Sequence, residues 1–138
     1  MPESLQHLRL VERILSYLRK HYVGVQQLAT LHDLPGVIGC DKPPKIGVYR
    51  PDIYAIDAPL TTTIVGEAKT QSDLETQHTR EQFLSFMEFL RLQPKPVLVV
   101  AVPWQVKTAA RSLLDGLARH LQIRSIELVV LDDVESLQ

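Results

Sequence analysis

The 138-residue chain has one cysteine, three phenylalanines, one tryptophan and no long apolar run. Each scarcity excludes something. A lone Cys40 cannot close an internal disulfide, which fits a reducing compartment, and it reads as a bystander near a turn, since no histidine or acid forms an obvious dyad with it. A membrane span needs about 20 consecutive apolar residues, and no such stretch is present. The opening MPESLQHLRL has neither the basic start nor the apolar middle of a secretory leader. A cytoplasmic location and no membrane partner are therefore expected. Net charge is also scarce, at −1. Any polyanion would have to be met by a local patch or a bound cation, because the overall field does not attract one. There is no internal repeat or low-complexity tract, and the length and the 45% apolar content suit one domain, residues 1–138, with one core.

What is present alternates between helical and strand periodicity. Residues 4–22 predict a helix capped by Ser4, with Leu5, Leu8, Val11, Leu15, Leu18 and Tyr22 on one face. That assignment puts Glu12 inside the apolar stripe, where a carboxylate needs a partner. Val25 to His32 reads as a first strand. DLPGVIGCDKPPKIG follows, with three prolines and three glycines in fifteen residues, and predicts a long loop. Val48 to Asp57 is a second strand with Pro51 marking an end or bulge. A short link, Ala58-Pro59-Leu60, turns it back into a third strand, Thr61 to Lys69.

The third strand draws the most attention. TTTIV suits a pleated, buried surface, but Glu67 and Lys69 then leave one face together, because side chains alternate with period 2. Two ionisable groups at a buried strand end are costly unless they pair or hold an ion. An antiparallel hairpin of strands two and three also brings Asp52 beside Glu67, so two isolated acids become a pair.

Ser72 with Glu75, and Thr79 with Gln82, have capping-box spacing, and the second helix is expected from Thr79 to about Leu92. Phe83, Phe86, Met87 and Leu90 form its buried face, and Gln82 points inward among them. His78 and Arg80 stand at its start. Val97 to Val102 reads as a doubly buried strand. Pro103-Trp104 opens a third helix to Leu121, with Trp104 packed at its start and Lys107, Arg111 and Arg119 on a solvated side. Ser125 to Leu131 is the last strand.

Inward-facing polar groups thus arise at Glu12, Asp52, Glu67, Lys69 and Gln82. A hard divalent cation would account for them as a set. Asp52 and Glu67 could hold Mg²⁺, with Mn²⁺ as a substitute, and the Ala68 carbonyl could add a third oxygen. Arg50-Pro51-Asp52, fourteen intervening residues, then Glu67-Ala68-Lys69 resembles the signature of the PD-(D/E)XK nuclease superfamily, which includes restriction endonucleases, Holliday-junction resolvases and VRR-NUC-type domains. The resemblance implies an α/β fold with an αβββαβ restriction-endonuclease-like core, a central mixed sheet flanked by helices, and an added C-terminal helix and strand. It also implies hydrolysis of DNA phosphodiester bonds, with Asp52 and Glu67 as metal-binding acids and Lys69 as catalytic lysine. Glu12 would match the acid on the first helix, and Gln82 the polar residue on the helix after the motif. A chain of this size would grip duplex DNA as a homodimer or within a larger complex. Two other readings stand beside this one: a nucleic-acid-binding or assembly module that keeps the fold without turnover, and a small α/β protein with a structural acid pair.

Overall fold

A computed structural model of the chain describes residues 4–22, 28–32, 42–57 and 61–134. In chain order they form α1 (Leu5–His21), β1 (Leu28–His32), β2 (Ile53–Asp57), β3 (Thr62–Ala68), a single turn α2 (Gln71–Leu74), α3 (Gln77–Leu90), β4 (Lys95–Val102), a 3₁₀ turn (Trp104–Val106), α4 (Lys107–His120) and β5 (Glu127–Asp132). The protein is α/β. The five strands of the described residues make one mixed sheet in the order β1-β2-β3-β4-β5. β1, β2 and β3 run antiparallel in succession, while β3, β4 and β5 are parallel.

The sheet separates two apolar layers. On one face α1 buries Leu10, Val11, Ile14, Leu15 and Leu18 against Ile53, Ala55, Ile64, Ala68, Val97, Val99 and Ala101. On the other, Phe83, Phe86, Met87 and Leu90 of α3 and Ala110, Leu114 and Leu117 of α4 cover Val65, Leu98, Val100 and Val102. Every residue of β3, and all of β4 after Lys95, is buried, as a strand covered by helices on both faces requires. Each fully buried Leu, Ile or Phe in these layers contributes about 1.5–3 kcal/mol relative to exposure.

Several boundaries differ from those the sequence predicts. Within the expected strand Val48–Asp57, only Ile53–Asp57 pairs in the sheet. Upstream, Ile46 and Tyr49 exchange backbone hydrogen bonds in a turn of their own, and Pro51 has no N–H to give the ladder. The first strand is Leu28–His32, and residues 25–27 of the expected strand lie outside the described residues, as do Cys40 and most of the Pro/Gly-rich segment. α3 begins at Gln77, and neither proposed capping box forms. Thr76 is the cap, its Oγ1 accepting from the Thr79 N–H at 3.1 Å, while the buried Thr79 hydroxyl donates to the Asp73 carbonyl at 2.6 Å. Gln82, one turn further in, is thereby free to point at the sheet. Trp104 is not a packing residue: it is 57% exposed.

α1 brings the largest correction. Its buried face is centred on Leu10 and Ile14, not on Leu5 and Leu8. At about 100° per residue, Glu12 then lies roughly 160° from both Leu10 and Ile14, and it is exposed. Gly66 explains the rotation. A Cβ there would come within 3.0 Å of Ile53 Cβ and 3.1 Å of Ile14 Cγ2, so the missing side chain is the notch that seats Ile14 on the sheet.

Candidate active site at the ends of β2 and β3

The antiparallel register of β2 and β3 pairs Ile53 with Gly66. One step further, at the edge of the ladder, Asp52 faces Glu67. Each carboxylate accepts from the opposite chain: Glu67 Oε1 takes the Asp52 N–H at 3.0 Å, and Asp52 Oδ2 takes the N–H of Ala68, the residue after Glu67, at 2.9 Å. These bonds use backbone donors that the ladder no longer engages, so the acids are fixed by the same geometry that ends the strand pair. Period 2 sends Glu67 and Lys69 to the α3 side, beneath Gln82. Gln82 Nε2 donates to Glu67 Oε2 at 2.6 Å, Lys69 Nζ donates to Gln82 Oε1 at 2.5 Å, and Lys69 Nζ lies 3.3 Å from Glu67 Oε2. The result is a closed, buried triangle of acid, amine and amide. The Lys69 backbone is held too, its N–H donating to Ala101 at 3.0 Å.

Electrostatics set Glu67 apart. Burial, and after it the adjacent Asp52 charge, raise the Glu67 carboxyl well above its ordinary value of 4.5, while Lys69 pulls the other way. A second positive charge at this point would remove the conflict between the two acids.

Four of the expected site residues, Asp52, Glu67, Lys69 and Gln82, therefore come together, with the Ala68 backbone between Glu67 and Lys69. Glu12 does not join them. It lines a cleft of about 580 Å³ with Leu5, Gln6, Arg9, Arg13, Ser16 and Asp133, and none of those four lines that cleft. The α1 residue that does reach the acids is His7, whose Nε2 lies 3.2 Å from Asp52 Oδ2. The sequence contains the signal for it. His7 falls on the same helical face as Leu10, Val11, Ile14 and Leu18, once that face is centred correctly.

Among the described residues there is no group of three or more His, Cys, Asp or Glu side chains arranged to hold a metal ion. A cation here would rest on two carboxylates and a main-chain carbonyl. That set fits Mg²⁺, which takes one or two carboxylates and keeps several waters. No helix among the described residues is long and apolar enough to cross a membrane. No protein-family model matches the chain, and comparison with curated proteins gives no match.

Proposed function

We propose that this chain is a metal-dependent nuclease of the PD-(D/E)XK type that hydrolyses DNA phosphodiester bonds. The observation that carries the reading is the meeting of Asp52 and Glu67 across the β2–β3 pair with Lys69 3.3 Å from Glu67, all at one strand end. The raised affinity of Glu67 for a proton supports it, because a site that strains to keep two carboxylates charged is one that gains from a cation. Asp52, Glu67 and the Ala68 carbonyl would hold the ion. When bound, Mg²⁺ or Mn²⁺ would supply Lewis-acid stabilisation to the attacked phosphate, an effect of several kcal/mol.

The side chains have separable tasks. Lys69 brings a fixed positive charge to the phosphate oxygens, where negative charge grows during attack. Gln82 holds Lys69 and Glu67 at once, so it orients the amine and keeps Glu67 turned toward Asp52. His7 braces Asp52 from the α1 side. Gripping both strands of a duplex would take a second copy of the chain or a larger complex.

Purified protein incubated with single-stranded, duplex, forked and junction DNA should cut at least one form with Mg²⁺ or Mn²⁺ and none in EDTA. Glu67→Ala should reduce cutting to background while its circular dichroism stays unchanged. Cleavage by Glu67→Ala at the wild-type rate would sink the reading. A nucleic-acid-binding or assembly module without turnover has one observation in its favour: both Glu67 oxygens and the Lys69 amine already have partners within the protein. Calorimetric titration with Mg²⁺ in the presence of DNA separates the two, since the module predicts no heat of metal binding.

A further inference from the structure

The residues Pro43 to Arg50 lead into the Pro51-Asp52 step, and the nuclease chemistry uses none of them. Their centre is a tight turn. The Ile46 N–H donates to the Tyr49 carbonyl at 2.6 Å, and the Tyr49 N–H returns a bond to the Ile46 carbonyl at 3.1 Å. Gly47 is left-handed, with φ +64°, and a Cβ there would lie 2.9 Å from Ser85 Oγ. The left-handed backbone is what calls for glycine, and a larger residue would also have to displace the Ser85 hydroxyl.

The turn is anchored. Ile46 is buried in the α3 core layer, and its carbonyl also accepts from Ser85 Oγ at 3.3 Å. Tyr49 packs against the same layer and meets His78 edge to face, with ring centroids 5.5 Å apart. Arg50 Nη1 donates back to the Pro43 carbonyl, which holds the guanidinium stem across the segment. His78, Gln82 and Ser85 follow at i, i+4 and i+7 on α3, so the turn lies along the helical face whose middle residue grips Glu67 and Lys69.

What this anchored turn displays is not what a solvent-facing turn needs. Val48 stands at its tip and is 78% exposed, where glycine, asparagine or aspartate would be the ordinary choice. Lys45 and Arg50 flank it, and both are exposed, as are His78, which meets Tyr49, and Arg80 two residues along α3. Among the described residues none of Lys45, Arg50, His78 and Arg80 has a carboxylate within ion-pair distance. An apolar tip between unpaired cations matches a nucleic-acid backbone and the base edges it carries, and it matches an acidic protein surface less well. Phosphates neutralise the cations, while apolar side chains serve as wedges at unstacked base steps.

We propose that the Ile46–Tyr49 turn is the DNA-contacting element of this protein. Lys45 and Arg50 engage backbone phosphates next to the cleaved bond, and Val48 packs into the opened step where a duplex forks into single strands. The choice of DNA as ligand rests on the nuclease reading, but the turn's role does not depend on turnover.

The test is a fluorescence-anisotropy titration of a labelled forked duplex in EDTA, over a series of salt concentrations. Lys45→Ser with Arg50→Ser should weaken binding and lower the slope of log affinity against log salt by about one for each cation removed. Val48→Ser should cost roughly tenfold on the forked duplex, the equivalent of burying one valine side chain. It should leave the salt slope and the affinity for single strands unchanged. All three side chains are exposed, and melting curves should match the wild type. An unchanged slope in the double variant, equal weakening of forked and single-stranded DNA by Val48→Ser, or a wild-type protein that binds no DNA each overturns the proposal. Turn-dependent binding without any Mg²⁺- or Mn²⁺-dependent cleavage would keep the proposal and remove the nuclease reading.

Discussion

A carboxyl buried beside a second carboxyl holds its proton more tightly than one in water, and Glu67 is in that position. The sign of the effect on stability follows. Below 4.5 the group is protonated in both folded and unfolded chains and adds no pH dependence. Above that value the unfolded chain releases its proton while the folded protein retains it, so folding is progressively opposed until the folded group ionises as well. Urea unfolding in EDTA should therefore show stability falling as pH rises from 4.5 through the raised value of Glu67. Glu67→Gln should flatten that fall and exceed the wild type at its upper end. A wild-type profile that rises across this window would contradict the electrostatic account. Asp57 is a second buried acid, at the other end of β2, and among the described residues neither of its carboxylate oxygens has a hydrogen-bond partner; nothing in the candidate site explains it.

Elements decide which residues meet, and here sequence and structure agree on some and part on others. The convergence of Asp52, Glu67 and Lys69 was legible because strand alternation and hairpin pairing are local rules with few solutions. Gln82 was legible because it interrupts an otherwise apolar helical face. α1 offered no such certainty. Leu5, Leu8, Leu10, Val11, Ile14, Leu15 and Leu18 cover more than half of its circumference, so periodicity alone leaves the centre of the buried face open. The choice is made across the core by the Gly66 notch that receives Ile14. That contact turns His7 toward Asp52 and Glu12 toward solvent, and it joins residues that no local window spans. Gly66→Ala should thus act through α1. Overpacking of this kind costs about 1–3 kcal/mol, measurable by denaturant titration, and displacement of α1 should perturb the His7 ring resonances in NMR spectra. Stability and His7 signals equal to the wild type would show that the notch does not seat the helix.

At the scale of the molecule the sheet has a protected middle and two edges of unlike kind. β3 and β4 are buried between helical layers, whereas β5 is half-buried along most of its length and β1, among the described residues, pairs with β2 alone. Amide exchange should follow this order, slowest at Ile64–Ala68 and Val97–Val102 and fastest in β1 and β5; comparable protection in β5 and β4 would mean that the edge is covered. The α/β architecture itself was readable from the alternation of elements, while the turn at Ile46–Tyr49 was not, because its seat on α3 is a tertiary contact. The change from antiparallel to parallel pairing occurs at β3, and a parallel neighbour demands a crossover. That crossover, α2 with α3, carries Gln82 back to the strand the chain has just left. Asp52, Glu67, Lys69 and Gln82 consequently lie on one unbroken stretch of polypeptide. In terms of inheritance, a single exchange of genetic material with its ends outside that stretch would pass the four side chains on together. The recipient would have to supply only a neighbouring parallel strand and a helix with a side chain to fit the glycine notch.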